Sequence, residues 1–403
     1  MTQPHILLVN VFFAPYTYGG ATIVAEEVAK ALIANHGYRV TAVSLMARAE
    51  LATYTIIKTE TSGIVNYVIN VPGDRGYSDM YDNQIMTGLL SELIRDLAPD
   101  LVHAHCIQEI GTGVFDAAAA HDVPVILSVH DFWWICERQF MIKPDRTYCG
   151  QFPVKIEACA GCVNDLPAAK ARFDHLTASV AAPARITYPS AFAKDLSEAS
   201  GFPAGTGLVW KNGVRLPGPD FADRQAARRA RDPRLTFGYV GGPAQIKGWP
   251  TIRKAFAGIG RDDFRFLAVD GSGNGTWWAD NAFKGLPGTW AEFPRYTQDN
   301  MDDFYAEIDV LIFLSQWKET FGLAIREALA RGIKVIQTDS GGTTEHGYAA
   351  AEDLIPIGAP PETLRAQLDA LFAAHPDPAP VRAVSSYADQ AASFDALARE
   401  VLG

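Results

Sequence analysis

Short apolar runs recur along the first half of the chain and alternate with stretches of helical periodicity. Ile6-Leu-Leu-Val-Asn-Val-Phe is a continuous apolar run, the pattern of a strand buried on both faces. The run is short, has no basic leader and enters a turn at Pro15 to Gly20, so it reads as a buried strand and not as a signal peptide. A helix is predicted from Thr22 to Ala34, opened by Gly19-Gly20, and a strand from Arg39 to Ser44. The helix Ile85 to Ala98 precedes the short strand Asp100-Leu-Val-His-Ala-His, and Val123 to Val129 repeats the strand form. Strand and helix alternating in this way predict a parallel, doubly wound sheet.

The rhythm stops between Asp131 and Asp165, a stretch rich in cysteine, proline and aromatic residues. It resumes at Arg185 to Tyr188 and Leu208 to Val214. The polar, charged and proline-containing stretch Arg215 to Arg234 places a boundary between a domain over 1–215 and a second over 216–384. A second α/β series begins at Leu235-Thr-Phe-Gly-Tyr-Val and continues through Arg265 to Val269, Val310 to Leu314 and Lys334 to Thr338. The fold class is therefore α/β, with two doubly wound, Rossmann-like domains. Their cleft is expected at the carboxyl ends of both sheets. At 403 residues the chain exceeds what one core usually organises, in agreement with two domains.

Composition narrows the function. A hydrophobic share of 48% and a charged share of 20% are ordinary for a globular protein. The net charge of −11 gives no global attraction to nucleic acid, so no nucleic-acid partner is expected. A local basic patch, and with it peripheral contact with a membrane, stays open. No apolar run is long enough to span a bilayer. Without an export signal a cytoplasmic enzyme with reduced cysteines is expected.

Five constellations carry candidate chemistry, each after a strand. Glu319-Thr-Phe-Gly-Leu-Ala-Ile-Arg-Glu327 is read as a loop and helix that start near Phe321 and stop at Gly332. The amides of Phe321, Gly322 and Leu323 would face a diphosphate or a sugar hydroxyl, and the two carboxylates could accept hydrogen bonds from sugar diols. An amphipathic helix with one solvated and one capping glutamate is the plain alternative. Gly238-Tyr-Val-Gly241-Gly242-Pro-Ala-Gln-Ile-Lys247 is a glycine-rich turn with a lysine at its far end, able to approach a phosphate. No Ser or Thr follows Lys247, so it is no Walker A loop. The other three are Tyr18-Gly19-Gly20-Ala21, His130-Asp131 and Gly341-Gly-Thr-Thr-Glu345, whereas His103 and His105 are read as structural histidines.

In their order along the chain these motifs resemble the retaining GT-B glycosyltransferases of family 4, also called group 1. The Gly-Gly turn, Pro99-Asp-Leu-Val-His-Ala-His, Val129-His-Asp, Pro189-Ser190, Asn212-Gly-Val, Lys247-Gly and the Glu-x7-Glu helix carry the resemblance across nearly the whole chain. It implies a nucleotide diphosphate sugar donor and a glycan or lipid-linked glycan acceptor, as in cell-surface polysaccharide synthesis. Glu327 would bind ribose hydroxyls, and Glu319 would face the donor sugar with the amides of Phe321, Gly322 and Leu323. Lys247 would neutralise the diphosphate, and His130 would lie near the reacting centre. Gly19 and Gly20 would let the N-terminal loop approach donor and acceptor, and the segment Tyr387 to Leu402, within 385–403, would pack back on the N-terminal domain. The resemblance also implies front-face attack with no catalytic metal. One departure is clear: family members commonly carry Arg after the glycine matched by Gly241, and here that position is Gly242. A nucleotide-sugar epimerase, a phosphorylase or a non-catalytic sugar-nucleotide binder on the same fold are the competing functions.

Cys136, Cys149, Cys159 and Cys162 fall in the excursion after His130, and Cys159-Ala-Gly-Cys162 is a C-x2-C pair. Four thiolates could close a tetrahedral structural zinc site. Disulfides, an iron–sulfur cluster and four unlinked thiols are the rival readings. Cys106 reads as a small core residue.

Overall fold

The apolar runs form strands buried on both faces. All five residues of β1 (His5–Val9) are buried, and so are all four of β5 (Leu101–Ala104) and β6 (Val125–Ser128). This computed structural model describes residues 3–269, 279–374 and 378–403. The chain divides into two units. The first comprises Met1–Met141, Gly150–Gly213 and Ser385–Gly403, and the second comprises Ile142–Cys149 and Val214–Val384.

In the first unit the order is β1, α1 (Gly19–His36), β2 (Arg39–Met46), β3 (Ile56–Thr61), β4 (Ile64–Asn70), α2 (Gln84–Leu97), β5, α3 (Gly113–Ala119), β6, α4 (Leu166–Ser179), β7 (Arg185–Tyr188), α5 (Ala191–Ala199) and β8 (Leu208–Val209). The sheet order is β3-β4-β2-β1-β5-β6-β7-β8, parallel except for the antiparallel β3–β4 pair. Side-chain caps start several of the helices. Asn83, Asp165 and Ser190 accept hydrogen bonds from the first turns of α2, α4 and α5. The helix Tyr387–Leu402 opens with a capping box formed by Ser386 and Asp389. It lies in the first unit, where Asp395 accepts from the Tyr38 hydroxyl at 2.8 Å and the Trp210 indole donates to the Gln390 carbonyl at 3.1 Å.

The second unit runs α6 (Phe221–Arg231), β9 (Thr236–Val240), α7 (Trp249–Ala257), β10 (Arg265–Val269), α8 (Ala279–Ala282), β11 (Thr289–Phe293), α9 (Met301–Tyr305), β12 (Val310–Phe313), α10 (Leu323–Leu329), β13 (Lys334–Gln337) and α11 (Pro361–Ala374). Its five parallel strands stand in the order β11-β10-β9-β12-β13. Two apolar clusters cover the sheet. One gathers Trp249, Ile252 and Phe256 of α7 with Leu364 and Leu368 of α11. The other gathers Phe221, Phe304, Tyr305 and Ala328 from α6, α9 and α10. Each fully buried side chain of this size contributes about 2 kcal/mol. Both sheets are mainly parallel, and the fold is the α/β class expected from the sequence.

Several elements differ in detail. The hairpin β3–β4, with Ser62 and Gly63 at positive φ in its turn, has no counterpart in the sequence reading. The polar stretch read as a boundary contains α6, and the segment Leu208 to Val214 holds only a two-residue strand. Helix α10 starts at Leu323 and not near Phe321, because Gly322 adopts a left-handed φ of 82° that places it outside the helix.

Candidate active site

Each sheet has a point in its parallel part where the strand order reverses, and open α/β sheets bind ligands at the carboxyl ends of the strands there. In the second unit that point lies between β9 and β12, which pair in parallel. The chain leaving β9 is the glycine-rich turn. Gly241 and Gly242 both hold positive φ, 124° and 69°, a region where side chains with a Cβ are strained. The buried Tyr239 hydroxyl donates to the Gly242 carbonyl at 2.8 Å and lies 3.3 Å from the Lys247 carbonyl, so one strand residue ties both ends of the turn. The chain leaving β12 carries Ser315 and Glu319.

These two loops meet. Lys247 Nζ donates to Glu319 Oε1 at 2.8 Å, and the Ser315 hydroxyl donates to the same oxygen at 2.5 Å. The Lys247 ammonium also lies 5.7 and 5.8 Å from the ring centres of Phe313 and Trp317. Glu319 is fixed through its backbone as well, since its N–H donates to the Ser340 carbonyl and its carbonyl accepts from Gly342. Thus the structure brings together Gly241, Gly242, Lys247 and Glu319 and joins them to the turn of Gly341-Gly-Thr-Thr-Glu345.

Phe321 and Gly322 sit ahead of α10, and Leu323 is its first residue. The buried Arg326 guanidinium holds this approach in place. It donates to the carbonyls of Phe321, Gly342 at 2.8 Å and Thr343 at 2.9 Å, and it packs over the Phe321 ring. Burial lowers its pKa to about 10. The motif letters of the sequence give no sign of this clamp, because its partners are carbonyls. Glu327 is only 4% exposed, and one of its oxygens accepts from the Tyr305 hydroxyl at 2.7 Å. Burial raises its pKa, while the Tyr305 hydrogen bond and the Arg331 charge pull it back. Tyr305 and Arg326 are the site neighbours that the sequence reading missed.

In the first unit the order reverses at β1, which pairs with both β2 and β5. Gly19 and Gly20 are exposed at the start of α1, which has no side-chain cap. Just before them the Thr17 hydroxyl donates to the buried Glu26 at 2.6 Å. His130 follows β6 and is half-buried, with Nε2 at 2.8 Å from Nδ1 of His105. Burial lowers its pKa to about 4, so the ring is neutral near pH 7. Asp131 accepts from the Trp133 amide and from the side chains of Gln108 and Gln139.

The four cysteines are half-buried. Cys162 N–H donates to the Cys159 carbonyl at 2.7 Å in a tight turn. Among the described residues no three or more His, Cys, Asp or Glu form a group that could hold a metal ion. Also among the described residues, no helix is long and apolar enough to cross a membrane.

Comparison with known proteins bears on the family and the fold. Residues 18–216 match the model of Glycosyltransferase Family 4, and residues 234–373 match that of Glycosyl transferases group 1. No curated protein matches the chain in sequence. Among solved structures, sucrose-phosphate synthase from Thermosynechococcus elongatus is similar, with a TM-score of 0.66 at 16% identity over 99% of this chain and 97% of that one. The Anabaena protein HepE in complex with UDP and glucose gives 0.59 at 14% identity over 98% and 94%. A trehalose-phosphate synthase from Burkholderia xenovorans in complex with glucose-6-phosphate gives 0.62 at 13% identity over 99% and 100%. At these identities the likeness shows the fold, and the two family models, which follow each other along most of the chain, show the family. The chain belongs to the group 1 glycosyltransferases and has the GT-B fold.

Proposed function

We propose that the protein is a retaining glycosyltransferase that moves a sugar from a nucleotide diphosphate sugar to a glycan or lipid-linked glycan in cell-surface polysaccharide synthesis. The observation that carries the donor assignment is the Lys247–Glu319 pair at the strand-order reversal of the second unit. A lysine there can leave its carboxylate for a diphosphate, and the carboxylate so released can accept hydrogen bonds from the donor sugar. Glu327, held by Tyr305, takes the ribose hydroxyls. The bound UDP and glucose of HepE, and the glucose-6-phosphate of the trehalose-phosphate synthase, support a nucleotide donor and a sugar acceptor.

Breaking the anomeric C–O bond leaves a nucleoside diphosphate anion and an oxocarbenium-like sugar. Lys247 and the backbone amides near Gly322 stabilise the anion. The acceptor hydroxyl attacks from the face the diphosphate leaves, and a phosphate oxygen takes its proton, so the anomeric configuration is kept. In this reading His130 serves the reaction as a hydrogen-bonding group.

Replacing Lys247 with Ala tests the donor assignment. Loss of one positioned charge lowers kcat/KM by about 100-fold, read as nucleoside diphosphate release from a matched donor and acceptor. Unchanged turnover by a folded variant would remove Lys247 from the diphosphate site.

A further inference from the structure

His130 takes part in a hydrogen-bonded chain that runs into the first sheet. Its Nε2 lies 2.8 Å from Nδ1 of His105, and Nε2 of His105 lies 3.2 Å from Nδ1 of His103. His103 Nε2 lies 2.8 Å from the Ser128 hydroxyl, which lies 2.8 Å from the Thr187 hydroxyl. Adjacency of the parallel strands β5, β6 and β7 brings these residues together. His103, His105, Ser128 and Thr187 are all buried, and His103 stacks on Phe394 of the C-terminal helix at 4.3 Å.

The direction of this chain follows from its inner end. Among the described residues, Ser128 is the one hydrogen-bond partner of the Thr187 hydroxyl. A buried O–H needs an acceptor more than a buried oxygen needs a donor, so Thr187 donates to Ser128. Ser128 then donates to its remaining partner, Nε2 of His103. A neutral ring that accepts at one nitrogen carries its proton on the other. His103 therefore donates from Nδ1 to Nε2 of His105, and His105 donates from Nδ1 to Nε2 of His130. Burial holds His103 and His105 well below the ordinary histidine range, in keeping with neutral rings throughout.

We propose that His103 and His105 are positioning residues which, with Ser128 and Thr187, fix His130 in the tautomer protonated at Nδ1. His130 then carries its proton on Nδ1 and acts as a hydrogen-bond donor, not as a base. The inference rests on the reading of His130 as a residue of the reaction. It leaves proton removal from the acceptor to the phosphate, as the front-face route requires. The sequence reading of His103 and His105 as structural histidines gains a functional side, since the same buried pair would set what His130 can offer.

The test is a long-range 1H–15N correlation spectrum of the full-length, histidine-labelled protein at pH 7, assigned with single His→Gln variants. The expected result is three neutral rings, all protonated at Nδ1, the tautomer less common in free histidine. A His130 ring protonated at Nε2, or an imidazolium at any of the three, overturns the proposal. Ser128→Ala removes the inward donor, so mixed tautomers are expected at His103 and His130, with kcat down about tenfold and donor KM unchanged. Full transfer by a folded Ser128→Ala protein would contradict the positioning role. If His130→Ala itself retained full activity, the reaction role of His130 would fail, and the wild-type spectrum would still judge the direction of the chain.

Discussion

Lys247 and Glu319 stand 72 positions apart in the chain, yet one hydrogen bond joins them. Both were legible from the sequence, because each follows an apolar run at the carboxyl end of a strand. Their mutual contact was not, since it depends on β9 and β12 being neighbours across a change in strand order. The same holds for His130, whose partner His105 looked structural while the pairing of β5 with β6 was unknown. Tyr305 and Arg326 carried no motif, and only the fold shows what they hold. Glu319→Ala should mainly lower turnover, while Glu327→Ala should mainly weaken nucleotide binding; isothermal titration and steady-state rates separate the two, and wild-type values for both would contradict the assignment. The histidines give a pH prediction. Their folded pKa values lie below the ordinary 6.5, that of His130 at about 4, so the unfolded chain binds more protons as pH falls below 6.5. Stability is complete above pH 6.5 and is lost as pH falls below it, by about 1.4 kcal/mol per pH unit for each histidine that titrates. Urea midpoints at pH 7 and pH 5 compare wild type with His105→Gln, and the variant should show the shallower slope.

Most of the buried strands were readable because parallel strands covered on both faces are nearly continuous apolar runs. The elements that escaped have other signatures. Strand β3 is an edge strand with Lys58, Thr59 and Glu60 in its middle, and its partner β4 alternates buried with half-buried positions over Ile64 to Tyr67. Helix α6 looks like a charged linker because arginines make its contacts. Arg228 is 2% exposed and pairs with Asp309 at 2.6 Å, and the same carboxylate accepts from Arg229 and from the Thr236 amide. Asp309 thus pins α6 to the first strand of the second unit. Asp309→Ala leaves a buried guanidinium without its counter-ion and should cost about 3 kcal/mol of folding stability, measured by urea denaturation. A change under about 0.5 kcal/mol, the size of an ordinary surface effect, would show that the pair is not structural. The cysteine excursion was read through the spacing of Cys159 and Cys162, but spacing along the chain does not establish that Cys136 and Cys149 join them. Zinc content of protein purified without added metal decides that point, since a closed four-thiolate site needs one ion per chain.

At the scale of the whole molecule, the chain is an acidic protein of two α/β units with separate sheets. The alternation of strand and helix made that class legible. The identity of the sugar and the nucleobase was not, because the apolar pattern does not determine the shape of the loops that follow the strands. Binding to the folded state alone stabilises it, so a nucleoside diphosphate sugar at 100 times its dissociation constant should add about 2.7 kcal/mol to unfolding. A thermal-shift panel of nucleotide sugars therefore identifies the donor before any acceptor is known. The measurement that tests the central claim most directly follows from that panel. The protein is incubated with the stabilising donor and candidate glycan acceptors, and the product's anomeric proton coupling is read by NMR alongside nucleoside diphosphate release. The account predicts one nucleoside diphosphate per glycoside formed, with the donor's anomeric configuration retained, and loss of both signals in Lys247→Ala. A glycoside of inverted configuration, or a donor that binds and is never turned over with any acceptor, would contradict it.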